Sequence, residues 1–311
     1  MTVDVIIPVY KPDEKLLTII NKLGNQTVVP EKICLINTEE KYWENFLRGK
    51  STALLGKNTE VRHVSLWEFD HGQTRNEGAR TSTADLLLFM TQDAVPYDDN
   101  LIENLIGAFD NPKVAAAYAR QIATADAPLS EQFSRQFNYP DESVVKSIKD
   151  RDTLGIKTYF CSNACAMYRR EIFERLGRFP KNMIFNEDMV FAHTLIENGF
   201  EIAYCATAQV VHFHKYTYMQ QFRRNFDLAV SQAMHPEVFE GVSSESEGVK
   251  YALSAFSYFK EKRRIFYFVP FALSCAFRLV AFKLGKNYKR LSHGQILRLT
   301  DSPRFFKKNW S

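Results

Sequence analysis

Residues 69–94, FDHGQTRNEGARTSTADLLLFMTQDA, decide the fold of this chain because they join a polar stretch to a buried strand. The polar residues 70–76 carry side chains that bind phosphate and sugar oxygens, and a short helix is predicted over 77–82. Residues 85–90 are a short apolar run between polar residues. Such a run is typical of a strand that is covered on both faces of a sheet.

Asp93 follows this strand almost at once, in the sequence Thr91-Gln92-Asp93-Ala94. Ligands of open α/β sheets bind beyond the carboxyl ends of strands. The Asp93 carboxylate is therefore a candidate ligand for a metal or a substrate. An aspartate that only starts a turn is the alternative, and the spacing alone does not separate the two.

Strands alternate with helices around this stretch. Apolar runs predict strands at 3–10, 32–38, 61–64 and 114–118, and helices are predicted at 13–24, 42–47 and 100–109. This alternation predicts an α/β fold with a mainly parallel, doubly wound sheet. Such a sheet suits a nucleotide, but the chain has neither GxGxxG nor GxxxxGK[ST], so a dinucleotide site and a P-loop are not supported.

The part of the chain after residue 120 carries further candidate residues. Residues 121–156 are polar and irregular and are expected to form a mobile excursion over the site. Glu187 and Asp188 precede an apolar helix, so they are either helix-capping acids or include a general base. His212 and His214 alternate along an extended segment, so only one of them is expected to bind a given metal.

Composition restricts the class of protein. The chain has 311 residues, of which 45% are hydrophobic and 24% are charged, so it is globular. Net charge is +4, but residues 250–311 carry +12, which leaves −8 for the rest and indicates an anionic partner for the basic end. Five cysteines without a CxxC pair indicate buried thiols in a reducing compartment. The start, MTVDVIIPVY, lacks signal-peptide features and predicts a cytoplasmic protein.

The basic end contains the apolar run IFYFVPFALSCAF at 265–277. Thirteen residues are fewer than the roughly 20 that span a bilayer. With cations on both sides, the run predicts a segment that lies on an anionic membrane surface. A buried helix, in a homodimer for example, is the alternative. Nucleic acid is not expected, because no binding motif accompanies the charge.

Taken together and in order, these motifs resemble the inverting family 2 glycosyltransferases with the GT-A fold, and most closely their bacterial rhamnosyltransferase branch. The motifs are IIPVY, FDHGQTRNEGAR, FMTQDA, CSNACAMYRREIFERLGRFP, NEDMVFAHTLIENGFEIAY, VHFHKYT and QFRRNFD. The resemblance implies a catalytic domain at 1–230, with a nucleotide-sugar half at 1–120 and an acceptor half at 121–230. A helical, membrane-associating region at 231–311 would follow.

The resemblance also gives the candidate residues their roles. Asp188 would be the catalytic base, with Asn163 and Glu187 on the acceptor side. Mn²⁺ or Mg²⁺ would be held by Asp93 and His212, with His212 preferred over His214. The family's first acid of the metal motif is replaced here by Thr91, so Asp93 remains as its carboxylate. Donor-binding roles fall on Pro8, Tyr10, Asn37, Thr38, Arg75, Asn76, Gln92, Asp93 and Arg224, the last of which is otherwise a surface arginine.

The reaction implied is inverting transfer of L-rhamnose from dTDP-β-L-rhamnose. The acceptor would be a saccharide hydroxyl on a polyprenyl-diphosphate lipid, and the product an α-rhamnoside of a bacterial cell-wall or capsular polysaccharide. The enzyme would lie on the inner face of the cell membrane. Two alternatives stay open: a transferase of the same fold that uses another hexose from a UDP-sugar, and a non-catalytic subunit that binds sugar nucleotides.

Overall fold

The structure is a computed structural model that describes residues 1–240 and 245–309. Within them, a nine-stranded sheet is formed by β1 Val3–Tyr10, β2 Lys32–Thr38, β3 Thr59–Val64, β4 Leu86–Met90, β5 Val95–Pro96, β6 Val114–Ile122, β7 Val144–Lys146, β8 Cys165–Arg169 and β9 Glu201–Val211. The helices are α1 Glu14–Gly24, α2 Glu40–Leu47, α3 His71–Ala79, α4 Leu101–Gly107, α5 Leu129–Asn138, α6 Arg151–Leu154, α7 Arg170–Arg175, α8 Glu187–Glu197, α9 Tyr218–Met234, α10 Pro236–Phe239, α11 Glu245–Glu261, α12 Phe268–Lys286, α13 His293–Leu299 and α14 Pro303–Asn309.

The chain forms two compact units. The first consists of Met1–Ile122, Tyr139–Lys181 and Glu187–His212, and it contains the whole sheet. The second consists of Ala123–Asn138, Asn182–Asn186 and Phe213–Ser311, and it is helical. The functional boundary expected at residue 230 stays a prediction.

The sheet of the first unit is mixed. Its order is β3-β2-β1-β4-β8-β6-β9-β5, with β7 added on β9. The first four strands are parallel to one another, and β8 runs antiparallel between β4 and β6. The carboxyl ends of β1, β2 and β4 therefore lie at one edge.

Side chains of the central strands alternate between two cores. Val5 and Ile7 of β1 lie in one core, whereas Ile6 lies in the other. Likewise, Leu88 and Phe89 of β4 belong to opposite faces. A strand that buries both faces needs apolar residues at nearly every position, which explains the continuous runs in the sequence.

The helix predicted over 77–82 was placed wrongly. The polar stretch itself is helical, as α3, and the Asp70 side chain caps it by accepting from the amides of Gly72 and Gln73. A Cβ on Gly72 would overlap the carbonyl oxygen of Pro180, and one on Gly78 would overlap Ile6. This helix packs through small residues, so it shows no apolar periodicity by which it could be recognised.

The prediction of an irregular excursion over 121–156 was also wrong. This segment contains the end of β6, the helix α5, the strand β7 and the short helix α6. In the second unit, Phe133 of α5 packs with Ala255, Phe259 and Phe271 of α11 and α12. The apolar partners of α5 lie more than 100 residues away in the sequence, so its polar composition alone was misleading.

The cysteines were predicted correctly as buried thiols. Cys34, Cys161, Cys165 and Cys205 are buried, Cys275 is half-buried, and all five are free.

The apolar run at 265–277 belongs to a longer helical stretch than the sequence suggested. Ile265–Lys286 has 22 residues and is long and apolar enough to cross a membrane, a criterion that core helices of soluble proteins also meet. One face of α12 packs on α9, where Gly285 lies so close to Phe226 that a Cβ would overlap its carbonyl oxygen. The opposite face is exposed, with Val269 at 71%, and Phe266 in the turn before the helix is 87% exposed.

Candidate active site

The carboxyl ends of β1 and β4 are tied together by Gln92. Its side-chain oxygen accepts from the Tyr10 amide at 2.8 Å, and its side-chain nitrogen donates to the Tyr10 carbonyl at 2.9 Å. Tyr10 is exposed and lies opposite Thr38 of β2, and Pro8 on the same strand is half-buried. The predicted donor-side residues of these three strands thus share one edge, although the Gln92 amide is occupied by the backbone.

Asn37 and Thr38 leave buried polar atoms without partners. The Asn37 amide nitrogen donates to the Glu39 carbonyl at 3.1 Å and contacts His63 Nδ1 at 3.0 Å. Asn37 Oδ1 and Thr38 Oγ1 have no hydrogen-bond partner among the described residues. Because a buried polar group without a partner costs free energy, such atoms mark a place where a ligand could bind.

Asp93 and His212 come together as predicted for a metal site. The Asp93 carboxylate lies 3.4 Å from His212 Nε2, and their side chains are 30% and 11% exposed. The other ring nitrogen, Nδ1, lies 2.8 Å from the Gln121 side-chain oxygen. His214 lies in the second unit, where its ring stacks on Tyr216.

This donor set fits Mn²⁺ or Mg²⁺. A carboxylate oxygen and an imidazole nitrogen are two protein ligands, which leaves positions for phosphate oxygens and water. The hydroxyl of Thr91, two residues before Asp93 in the sequence, is buried without a hydrogen-bond partner among the described residues. The imidazole favours Mn²⁺ over Mg²⁺.

A buried ion pair connects α3 to the start of α8. Arg75 Nη1 lies 3.2 Å from Glu187 Oε1, and the two side chains are only 6% and 7% exposed. The same guanidinium nitrogen donates to the His71 carbonyl at 2.9 Å, while Nε has no partner among the described residues. Arg75 therefore holds Glu187 in place; its predicted contact with the donor diphosphate stays a prediction.

The pKa values of the neighbouring carboxylates Glu187 and Asp188 shift in opposite directions. Burial alone would raise the pKa of Glu187, but the charges of Arg75 and His71 and the Asn163 amide outweigh it and lower the pKa. For Asp188, burial and then the Glu187 charge raise the pKa to about 7. A carboxylate with a pKa near neutrality is suited to take a proton at physiological pH.

Asn163 holds both carboxylates. Its backbone amide donates to Asp188 Oδ2 at 3.0 Å, and its side-chain nitrogen donates to Glu187 Oε1 at 3.2 Å. The Tyr168 hydroxyl donates to the Asn163 side-chain oxygen at 2.9 Å. Asn163, Glu187 and Asp188 were all predicted as site residues, and the structure brings them together.

Asn76 and Arg224 are occupied in ways that the sequence did not reveal. The Asn76 side chain donates to the Phe179 carbonyl and accepts from the Phe179 amide. The Arg224 guanidinium lies over the Phe185 ring, 4.6 Å from its centroid, within the second unit. Their donor-binding roles stay predictions. No motif in the sequence marks Gln121, whose side-chain oxygen contacts His212.

Comparison with known proteins decides the family. Residues 4–177 match the model of glycosyl transferase family 2. This chain belongs to glycosyl transferase family 2. The family assignment agrees with the resemblance found in the motifs.

Two curated relatives of this family 2 chain are rhamnosyltransferases by name. O-antigen chain rhamnosyltransferase RfbN of Salmonella typhimurium is 35% identical over 298 residues, which cover 94% of this chain and 91% of the relative. O-antigen chain rhamnosyltransferase WbaN of Salmonella anatum is 39% identical over 233 residues, which cover 73% of each chain.

Among solved structures, a mannosyltransferase from Pyrobaculum calidifontis, in complex with GDP-Man and Mn²⁺, has a similar fold. The TM-score is 0.59, the identity is 12%, and the match covers 93% of this chain and 88% of that one. At that identity the likeness supports the GT-A fold of this family 2 chain alone.

Proposed function

We propose that this chain transfers a rhamnosyl group to a saccharide hydroxyl during synthesis of a bacterial surface polysaccharide. The observation that carries the proposal is the 35% identity over 94% of the chain with a rhamnosyltransferase of O-antigen synthesis. The site geometry supports it, since a carboxylate of near-neutral pKa lies in the same unit as a carboxylate–imidazole pair.

The donor in this proposal is dTDP-β-L-rhamnose. Asn37 supports a base that offers an N–H donor, because its amide nitrogen is occupied and its oxygen is without a partner among the described residues. Thymine and uracil both carry such a donor, so a UDP-hexose is the alternative donor. A homodimer and a lipid-linked acceptor belong to the proposal as further expectations.

In the reaction, Asp188 removes the proton from the acceptor hydroxyl. The oxygen forms a bond to the anomeric carbon while the bond from that carbon to the diphosphate oxygen breaks, and attack from the opposite face inverts the configuration. Glu187 stays ionised beside Arg75 and so keeps the pKa of Asp188 high enough to accept the proton. A Mn²⁺ or Mg²⁺ ion held by Asp93 and His212 would supply positive charge to the leaving diphosphate.

We expect the purified protein to release dTDP from dTDP-L-rhamnose in the presence of a lipid-linked saccharide, and EDTA to abolish the release. The measurement is nucleoside diphosphate released across a panel of dTDP- and UDP-sugars with Mn²⁺, Mg²⁺ or EDTA. Turnover of a UDP-hexose alone would contradict rhamnose but keep the transferase. Binding of sugar nucleotides without turnover, even with acceptor, would favour the non-catalytic subunit.

The second unit supports a place for this enzyme on the inner membrane surface. The exposed face of α12 and the preceding turn present apolar side chains, namely Phe266, Val269, Leu273, Leu279 and Val280. Three exposed cations, Lys262, Arg263 and Arg264, lie directly before them in the chain. Since the other face of α12 packs on α9, a surface-lying helix suits this arrangement better than a spanning one.

Vesicle binding tests this placement. Replacing Lys262, Arg263 and Arg264 by Gln is expected to weaken binding to anionic vesicles by roughly 3 kcal/mol, about 100-fold, because each cation near such a surface contributes about 1 kcal/mol. Phe266→Ser with Val269→Ser should weaken it further, whereas Leu54→Ser, which removes an exposed apolar residue of the first unit, should leave it unchanged. Binding unaffected by all of these variants would contradict the surface, and extraction only by detergent would indicate a spanning helix.

A further inference from the structure

Gln121 has no role in the proposed reaction, yet its side chain contacts both His212 and Ser162. It is the next-to-last residue of β6 and is 2% exposed. Its register partner is Val210 of the parallel strand β9, and His212 follows that strand by one residue. The His212 amide also donates to the carbonyl of Ile122, so the backbone brings the two side chains together.

Both ends of the Gln121 amide are engaged. The oxygen lies 2.8 Å from His212 Nδ1, and the nitrogen donates to Ser162 Oγ at 2.9 Å. An amide oxygen can only accept, so the proton of the His212 ring lies on Nδ1 in this arrangement. When the ring is neutral, Nε2 is then the nitrogen without a proton, as a metal requires, and it lies 3.4 Å from the Asp93 carboxylate.

Ser162 begins a turn whose next two residues also contact the site. Asn163 donates to Asp188 and Glu187, and the Ala164 carbonyl accepts from the Thr91 amide at 3.2 Å. Three consecutive residues thus contact Gln121, which bonds His212, then the two carboxylates, and then the start of the metal motif. The Ser162 carbonyl accepts from the Cys165 amide, which closes the turn before β8.

We propose that Gln121, held by Ser162, is a positioning residue that fixes the tautomer of His212, and that the turn 162–164 thereby links this ligand to the base Asp188. The inference rests on the proposed function for its consequence, because the metal is that of the transferase. The contacts themselves do not depend on which sugar is transferred.

The tautomer is measured by nitrogen-15 NMR of histidine-labelled protein without metal, at a pH where imidazoles are neutral. The His212 signals are assigned by their loss in His212→Gln. We expect Nδ1–H in the wild type, a loss of this preference in Gln121→Leu, and its retention in Gln121→Glu, which keeps an acceptor at Nδ1. Ser162→Ala, which leaves the amide oxygen in place but unanchored, should shift the Nδ1 signal in the same direction as Gln121→Leu by a smaller amount.

Metal affinity gives the second readout, by electron paramagnetic resonance of free Mn²⁺. Gln121→Leu is expected to weaken Mn²⁺ binding by about 10–100-fold, the usual effect of removing such a partner. The matched control is Gln209→Leu, a half-buried glutamine of the same strand pair whose side chain bonds only to the Ala206 carbonyl within the described contacts. It should change affinity by less than about two-fold.

The two readouts separate this inference from the function on which it rests. An unchanged tautomer in Gln121→Leu would overturn the positioning role, whatever the enzyme transfers. If the wild-type protein has the Nδ1–H tautomer but binds no Mn²⁺, the role of Gln121 stands. The metal would then no longer belong to the proposed function. If Gln121→Leu fails to fold, the other two variants test the inference. Loss of the Nδ1–H tautomer in Gln121→Glu would overturn it. An unshifted Nδ1 signal in Ser162→Ala would overturn it as well.

Discussion

Asp188→Asn is expected to lower the rate of sugar transfer by about 10²–10⁴-fold, the usual contribution of a positioned general base. The amide keeps the size of the side chain, and its oxygen can still accept from the Asn163 amide, which is bonded to Asp188 at 3.0 Å in the native protein. The fold and the binding of the donor should therefore persist. The measurement is turnover with saturating donor and acceptor, beside a separate determination of donor affinity.

The same residue predicts the pH dependence of the wild type. Burial and the Glu187 charge raise the pKa of Asp188 to about 7, and the base must be deprotonated to act. Activity should therefore be low in acid and rise as the pH passes through about 7. In Glu187→Gln the negative neighbour is lost, so the pKa of Asp188 should fall and the rise in kcat/KM should move to lower pH.

A matched control for Asp188→Asn is Asp99→Asn, since Asp99 is an exposed aspartate of the first unit. It should leave both the rate and the pH profile unchanged. Full turnover in Asp188→Asn would contradict the assignment of the base. A pH profile that stays in place in Glu187→Gln would show that Glu187 does not tune it.

Arg75→Met is expected to lower the free energy of unfolding by about 3–5 kcal/mol, because removing one member of a buried ion pair leaves the other charge without compensation. Both side chains of the pair are buried, with exposures of 6% for Arg75 and 7% for Glu187. The pKa of Glu187 is lowered in the folded state, so its contribution is complete at neutral pH and is lost as the pH falls through that lowered pKa. The difference between variant and wild type should therefore shrink in acid.

Urea unfolding measures this difference, and two variants serve as controls. Arg80→Met removes an exposed pair with Glu77 just after the same helix, where both side chains are about half exposed, and should cost less than about 1 kcal/mol. Arg75→Met with Glu187→Leu removes both charges and should recover most of the loss. If Arg75 serves only the donor, stability would be unchanged and the KM for the donor would rise instead.

The sequence was informative about the sheet for a simple physical reason. A strand that is buried on both faces must be apolar along its length, so β1, β2 and β4 appear as continuous runs and were predicted almost to the residue. It was less informative about α3, whose burial depends on glycines fitting against Pro180 and Ile6. Small residues at a close approach leave no periodic pattern in the chain.

The candidate residues also differ in how much the sequence reveals about them. The order of the motifs was enough to identify the family and to name Asp93, Asp188 and His212, because their chemistry is tied to places in a known fold. For the asparagine and glutamine side chains, the order of the motifs did not indicate which of them are free to bind a ligand. Asn37, Asn76 and Gln92 look alike as polar residues near strand ends or a polar turn, yet Asn76 and Gln92 bond the backbone of Phe179 and Tyr10 with both ends of the side chain.

The sequence by itself thus determined the fold class and the family, and it predicted the carboxylates of the site. Only the tertiary structure decided which polar groups are occupied, and which charges meet. Arg75 and Glu187 are 112 positions apart in the sequence. Where they meet, the Arg75 charge lowers the pKa of Glu187, while burial and the Glu187 charge raise the pKa of Asp188 to about 7. Such shifts depend on distance and on the exclusion of water, and neither quantity is written in the order of the residues.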